Sequence, residues 1–76
     1  MTELQLARHF ASNLKEMLAY NNTSQKELSE DTGISEATIS YYMRGERIPS
    51  LKNVLNIAYA LECKFSELIS VDEFIV

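Results

Sequence analysis

The sequence predicts an all-α fold, a single bundle of five helices. Apolar residues recur at steps of three and four along most of the chain, and serine, asparagine or glycine stands where these segments begin or end. No segment has the strict apolar–polar alternation of a half-buried strand. Because 76 residues suffice for one domain only, we expect residues 1–76 to form one unit of modest stability.

The first predicted helix runs from about Glu3 to Tyr20. Its apolar face is formed by residues that are three or four positions apart, namely Leu6, Phe10, Leu14, Met17 and Leu18. Asn21 and Asn22 follow, and asparagine tolerates the left-handed conformation found at helix ends. We therefore expect the helix to end at these two residues.

The second predicted helix opens at Ser24 with the pattern of a capping box. The Ser24 hydroxyl can accept a hydrogen bond from the Glu27 amide, and the Glu27 carboxylate can accept one from the Ser24 amide. Gly33 ends this helix because it can take the positive φ of a tight turn. The third helix then spans about residues 35–44, with Ser35 as its N-cap and Gly45 as its C-terminal turn.

The fourth predicted helix is capped by Ser50 and carries one apolar stripe, with Ile57 at its edge. The members of the stripe are Leu51, Val54, Leu55, Ala58 and Leu61. A short fifth helix is predicted over Ser66 to Ile69. The remaining residues, 70–76, form a tail that ends in three apolar side chains.

The second and third helices together form a helix-turn-helix, since a three-residue turn containing Gly33 joins two short helices. Such a unit needs apolar side chains where its helices meet and a small residue, here Ser29, at the closest approach. The predicted apolar contacts are Leu28, Ile34, Ile39 and Tyr42. In units of this kind the second helix lies in the major groove of DNA.

The same stretch resembles the Cro/repressor-type helix-turn-helix family, including the xenobiotic-response-element (XRE) regulators. Five spaced motifs carry the resemblance: Gln25-Lys26-Glu27-Leu28-Ser29, Gly33-Ile34-Ser35, Thr38-Ile39-Ser40, Gly45 and Pro49-Ser50-Leu51. The family has Q-x-E-L-A, G-I-S, T-I-S, N-G and P-S-L there, and the match covers about residues 12–69. The resemblance implies a DNA-binding domain of the phage-repressor type and a function in transcription regulation, more specifically as a repressor.

The sequence departs from the family pattern at several positions. Ser29 replaces the usual alanine, and Glu62 stands where many members have a helix-ending glycine. Met43 and Arg44 occupy positions that often hold glutamate and asparagine, respectively. Glu36 occupies a position where the family often has a basic or amide-bearing residue. These differences affect the expected site preference more than the expected fold.

A projection of the third helix at 100° per residue places Ile39 and Tyr42 on its inner side. The opposite face is expected to meet base edges, through Glu36, Ala37, Ser40, Tyr41 and Arg44. Arg47 and Lys52 follow the helix and are expected to contact phosphates. The resemblance implies a backbone phosphate contact for Gln25, and the predicted DNA-binding set also includes Ser35.

Three of these residues have simpler interpretations that the sequence leaves open. Tyr41 is either a DNA contact or a solvated aromatic, and Arg44 either a DNA contact or a cation at a helix C-terminus. Glu36 can accept a hydrogen bond from a cytosine amino group, but a carboxylate is also favourable at any helix N-terminus.

The net charge of −4 and the pI of about 4.8 argue against binding to nucleic acid. Over residues 24–52 there are four basic and five acidic side chains. Three of the acids, Glu27, Glu30 and Asp31, fall on the side of the second helix away from its packing side, so the groove face need not be acidic. The acidity nevertheless favours an alternative function, a protein–protein interaction module. A third possibility is the DNA-binding part of a larger regulator.

Several function classes are excluded by composition. Cys63 is the only cysteine, so no intrachain disulfide forms, and one histidine with one cysteine cannot make a structural zinc site. No acid–base pair or nucleophile constellation suggests an enzyme. We expect no cofactor, metal or small-molecule ligand. No signal-peptide pattern or long apolar run appears, which predicts a cytoplasmic protein without membrane contact.

The apolar tail has two possible roles. Phe74-Ile75-Val76 can fold back onto the first helix, or it can pack on a second copy as part of a dimerisation tail over residues 70–76. A homodimer would bind an inverted-repeat operator in double-stranded DNA, with half-sites about 34–36 Å apart.

Overall fold

The computed structural model describes residues 2–70, which form five helices. These are α1 (Glu3–Tyr20), α2 (Gln25–Thr32), α3 (Glu36–Met43), α4 (Leu51–Ala60) and α5 (Phe65–Leu68). The predicted all-α, five-helix fold is confirmed, and α5 both begins and ends one residue earlier than expected. Within residues 2–70 there is no strand, and no helix is long and apolar enough to cross a membrane.

Hydroxyl side chains cap the N-termini of the first four helices. The predicted capping box at α2 is present: the Glu27 amide donates to the Ser24 hydroxyl at 3.0 Å, and the Ser24 amide donates to the Glu27 carboxylate at 3.2 Å. A second box, which the sequence interpretation missed, joins Thr2 and Gln5 at the start of α1. Each cap contributes about 1 kcal/mol by satisfying amides that have no partner within the helix.

Positive φ angles mark the helix ends, as predicted for Asn22 (52°), Gly33 (76°) and Gly45 (69°). Glu62 also has a positive φ, of 53°, at the family's glycine position, so a glutamate here adopts a conformation that favours glycine. Gly45 is required for a second reason, since a Cβ atom there would lie 3.3 Å from Cγ of Arg8. The loop after α3 therefore lies directly against α1.

One apolar core joins all five helices. Its fully buried large side chains are Phe10, Leu14, Leu28, Ile39, Val54, Ile57 and Leu68. On α1 the predicted face is slightly rotated: Ala7 and Ala11 are buried, whereas Leu6 and Met17 are only half-buried. The small alanines lie where a neighbouring segment approaches closely, as the Gly45 loop does.

The predicted apolar stripe of α4 is confirmed for Val54, Ala58 and Leu61, which are buried, and wrong for Leu51 and Leu55. Leu51 is 65% exposed and Leu55 is 51% exposed, whereas Ile57, placed at the edge, is fully buried. Two asparagine side chains of α4 make hydrogen bonds that are consistent with this rotation. The Asn53 amide donates to the Tyr42 hydroxyl at 2.9 Å, and the Asn56 amide donates to the Thr32 carbonyl at 2.8 Å.

A polar link holds the segment after α5 against α1. The Asn13 amide donates to the Leu68 carbonyl at 2.8 Å, and the Ser70 amide donates to Nε2 of His9 at 3.1 Å. His9, which sequence reasoning treated as an ordinary surface residue, is thus half-buried and joins α1 to the residues that follow α5. The proposed dimer contact, Phe74 to Val76, lies outside the described residues.

Candidate nucleic-acid interface

Side-chain hydroxyls fix the turn between α2 and α3. The Ser29 hydroxyl donates to the Ile34 carbonyl, so the serine that replaces the family's alanine has a partner of its own. The Thr32 hydroxyl donates to the Leu28 carbonyl at 2.7 Å and accepts from the Ile34 amide at 3.1 Å. These bonds satisfy the backbone groups of the turn and hold the angle between the two helices.

The four apolar residues predicted to join the helix-turn-helix are all buried: Leu28, Ile34, Ile39 and Tyr42. The Tyr42 ring meets that of Phe10 edge to face, with centroids 5.7 Å apart and planes at 85°. Such pairs add about 0.5–1.5 kcal/mol beyond the area that they bury. α3 is therefore anchored to α1 through its inner side, which leaves its outer side available.

The outer side of α3 carries the residues that the projection placed there. Glu36, Ala37 and Arg44 are exposed, and Ser40 and Tyr41 are half-buried. Ser35 caps the helix: its hydroxyl accepts from the Thr38 amide at 3.1 Å and donates to the Thr38 hydroxyl at 2.9 Å. The small side chains of this face would let the helix backbone come close to base edges.

Gln25, the first residue of α2, is joined to this face directly. The Ser40 hydroxyl donates to Oε1 of Gln25 at 3.0 Å. Since its oxygen accepts this bond, the Gln25 amide retains its NH₂ group as a donor, which suits a phosphate oxygen. The bond ties the start of α2 to the middle of α3, a link that the sequence pattern did not reveal.

The C-terminal end of α3 holds a cluster of four side chains, here called the Tyr41 cluster. Its members are Tyr41, Arg44, Glu46 and Arg47. The guanidinium carbons of Arg44 and Arg47 lie 4.9 and 4.1 Å from the centroid of the Tyr41 ring. Nε of Arg44 donates to Oε2 of Glu46 at 3.0 Å. Cation–π contacts and an ion pair thus orient both arginines before any ligand arrives.

Glu46 and Arg8 are the residues of this region that sequence reasoning missed. The only signal for Glu46 was a charge of opposite sign two positions after Arg44. Arg8 gave no signal, because it is 36 positions away from Arg44 in the chain. Yet Arg8, Arg44 and Glu46 line the same open depression of about 630 Å³ between α1 and the loop after α3.

The remaining predicted contacts and the acidic residues lie on different parts of the surface. Lys52 is exposed on the second position of α4 and Arg47 is exposed in the preceding loop. Glu27, Glu30 and Asp31 are exposed on α2, on the side away from its packing residues. Within residues 2–70, no three histidine, cysteine, aspartate or glutamate side chains come together as a metal site would require.

Comparison with known proteins agrees with this geometry. A family model described as a Cro/C1-type HTH DNA-binding domain matches residues 13–73. Among curated proteins, the cryptic phage CTXphi transcriptional repressor RstR of Vibrio cholerae serotype O1 is 36% identical over 59 residues. That match covers 72% of this chain and 53% of the repressor, so the chain spans about half of that relative's length.

Two solved structures have the same fold. An HTH_3 family transcriptional regulator from Vibrio cholerae superposes with a TM-score of 0.85 at 28% identity, over 93% of this chain and 40% of that one. The restriction-modification controller protein C.AhdI from Aeromonas hydrophila gives a TM-score of 0.76 at 31% identity. This second match covers 80% of this chain and 92% of the controller protein.

Proposed function

The chain belongs to the family of Cro/C1-type helix-turn-helix DNA-binding domains, and we propose that it is a sequence-specific transcriptional repressor. Its family consists of DNA-binding domains and not of enzymes, as expected from the sequence. The observation that carries the proposal is the outer side of α3: small or polar side chains face outward, and two arginines are oriented on Tyr41 at its end. Similarity to a phage transcriptional repressor favours repression over activation.

In the proposed complex α3 lies in the major groove. Ala37 contacts a thymine methyl group, Ser40 and Tyr41 contact base edges, and Glu36 accepts from a cytosine amino group. Exposure of Glu36 and Ala37 at the first turn of α3 supports these roles, since the N-terminal part of a recognition helix contacts the bases. Arg44 reaches a guanine or a phosphate.

The remaining predicted residues bind the DNA backbone in this proposal. Gln25 and Ser35 lie at the N-termini of α2 and α3, where amides and the helix dipole favour a phosphate. Arg47 and Lys52 add positive charge beside the groove. The net charge of −4 is compatible with binding because three acids, Glu27, Glu30 and Asp31, project from the far side of α2.

The proposed functional unit is a homodimer of a single domain, residues 1–76, in the cytoplasm. An exposed apolar stripe on α4 supports a second copy: Leu51, Leu55 and Tyr59 are four residues apart and 65%, 51% and 87% exposed. Residues four apart lie on one helix face, and the same stripe on two copies can pack about a two-fold axis. A two-fold dimer would bind two half-sites about 34–36 Å apart on one face of the DNA, with one α3 helix in each.

The first experiment is a selection of binding sites from random duplex DNA at two salt concentrations. We expect enrichment of an inverted repeat, with an affinity that falls as salt rises. No enrichment at low salt would contradict the proposal and would favour the protein-interaction module that the acidity suggests.

The dimer is tested separately by sedimentation equilibrium. We expect the parent to dimerise at micromolar concentration, and the variant with Leu55→Ala and Tyr59→Ala to be monomeric. Deletion of Phe74 to Val76 tests whether the tail contributes, as the sequence interpretation expects. A parent that is monomeric at several hundred micromolar would contradict the dimer while leaving DNA binding by a single domain possible.

A further inference from the structure

The ion pair between Arg44 and Glu46 lies at the edge of the outer side of α3. Gly45 at φ 69° reverses the chain there, and two backbone bonds fix the reversal. The Gly45 amide donates to the Tyr42 carbonyl at 3.1 Å, and the Glu46 amide donates to the Tyr41 carbonyl at 3.0 Å. This Schellman arrangement holds Glu46 beside the guanidinium of Arg44, at the end of the outer side of α3.

The Glu46 carboxylate occupies a position on Arg44 that a DNA phosphate could occupy, because both groups are anions that accept hydrogen bonds from a guanidinium. The Arg44 and Glu46 side chains are 53% and 50% exposed, so their ion pair is screened by water. In such a weak pair, another anion can readily displace the Glu46 carboxylate from Arg44. The Tyr41 ring also contacts the guanidinium, with its centroid 4.9 Å away, so Arg44 remains oriented when its anion changes.

We propose that Glu46 is an internal competitor of DNA phosphate at Arg44, and that it limits the affinity of the protein for any duplex. The inference rests on the proposed DNA-binding function. When a phosphate binds Arg44, the released Glu46 carboxylate stays beside the DNA, and its negative charge retains part of the cation atmosphere that this phosphate would otherwise release. The Arg44 contact therefore adds less to the salt dependence of binding than a phosphate contact without a neighbouring carboxylate. Binding then depends more on base contacts than the count of arginines suggests.

The test compares Glu46→Gln with Glu16→Gln, which removes the same charge from an exposed position of α1. Glu16 is eight residues beyond Arg8, about 12 Å along the helix from the Gly45 loop. Binding to a duplex of arbitrary sequence and to the selected operator is measured by fluorescence anisotropy from 50 to 200 mM salt. Both variants alter exposed side chains, and circular dichroism verifies their folding.

We expect Glu46→Gln to raise the affinity for both duplexes by about three- to fivefold at the lowest salt. Its plot of log affinity against log salt becomes steeper by up to about 0.9, the value of one additional phosphate contact. Glu16→Gln changes the affinity far less and leaves the slope unchanged. Equal effects of the two variants would overturn the proposal and assign the gain to net charge.

A double-mutant cycle separates competition from simple repulsion of DNA by Glu46. If Glu46 acts through Arg44, most of the gain from Glu46→Gln disappears in the Arg44→Ala background. A gain that persists there in full would overturn the proposal. Failure of the proposed function gives a different result, since the parent protein would then bind neither duplex at 50 mM salt. If Glu46→Gln binds neither duplex as well, competition by Glu46 is not the cause of the missing binding, and both proposals fail.

Discussion

The outer faces of α3 and α4 differ in chemistry although the two helices are neighbours in the chain and begin alike at a serine cap. α3 presents small, polar and ionic side chains and ends in the Tyr41 cluster. α4 presents three apolar side chains, Leu51, Leu55 and Tyr59. A face of the first kind suits the base edges and phosphates of DNA, and a face of the second kind suits another protein surface. One domain therefore presents two exposed faces of different chemistry.

The inner sides of the same helices show why the two outer faces were not equally predictable. On α3 the large apolar residues Ile39 and Tyr42 lie on one side only, so periodicity alone identified the buried side. α4 is apolar over most of its circumference, and periodicity permits more than one orientation. We expect the two asparagine hydrogen bonds, to Tyr42 and Thr32, to select one of these orientations.

The largest expected effect is on stability and contrasts an inner residue with an outer one. Ile39→Ala should lower the free energy of unfolding by about 2–5 kcal/mol, because it removes buried atoms and leaves a cavity. Leu55→Ala should change it by less than about 0.5 kcal/mol in the monomer, since half of that side chain is already in water. Urea unfolding followed by circular dichroism at low protein concentration measures both. A large loss for Leu55→Ala would place this residue in the core of the monomer and remove the support for an apolar outer face.

The second expected effect is a separation of DNA binding from dimerisation. Arg44→Ala and Tyr41→Ala should each weaken binding to the operator by about 1–3 kcal/mol, or about 5- to 150-fold, without loss of folding. Neither should alter the dimer in sedimentation. The variant with Leu55→Ala and Tyr59→Ala should instead bind a single half-site like the parent while losing affinity for the inverted repeat. If Arg44→Ala and Tyr41→Ala bind the operator as tightly as the parent, the assigned recognition face is wrong.

The sequence predicted the helices and the helix-turn-helix because local chemistry determines them. Capping serines, the glycines at 33 and 45 and the three- and four-residue spacing on α1 act over a few neighbouring residues. The outer side of α3 followed in the same way from one helical projection. The prediction that the partner is DNA depended on the family resemblance, because the spacing of apolar residues alone does not identify a partner.

What the sequence could not predict depends on contacts between distant segments. His9 meets Ser70, 61 positions later, and Asn56 meets Thr32, 24 positions earlier. Gln25 and Ser40 are 15 positions apart, and their bond depends on the angle between α2 and α3. Arg8 joins the candidate interface only because Gly45 allows the loop to approach α1. No local pattern encodes such pairs.

The third prediction tests whether asparagine bonds determine which face of α4 is exposed. Asn56→Ala should lower the free energy of unfolding by about 1–2 kcal/mol, because the Thr32 carbonyl loses its partner at the end of α2. Asn56→Asp is a matched variant of the same size that cannot donate this bond from a carboxylate. Both should also weaken operator binding, since Thr32 orients the turn before α3. If urea unfolding shows no loss for either variant, packing alone determines the orientation of α4.

The smallest expected effect concerns Cys63, which packs against the core just beyond α4 and so reports whether that end of the helix is docked. Burial, and to a smaller extent the nearby Glu67 carboxylate, raises the pKa of the Cys63 thiol above its usual value. Less thiolate is then present at pH 8 than in the unfolded chain, so alkylation by iodoacetamide should be slower in the folded protein and should speed up in urea. Glu67→Gln, which removes only the smaller of the two causes, should accelerate the reaction slightly. If the folded protein reacts as fast as the unfolded chain, the inner side of α4 is open to solvent at its C-terminal end. The contrast between a buried inner side and an exposed outer stripe would then hold only for the first turns of α4.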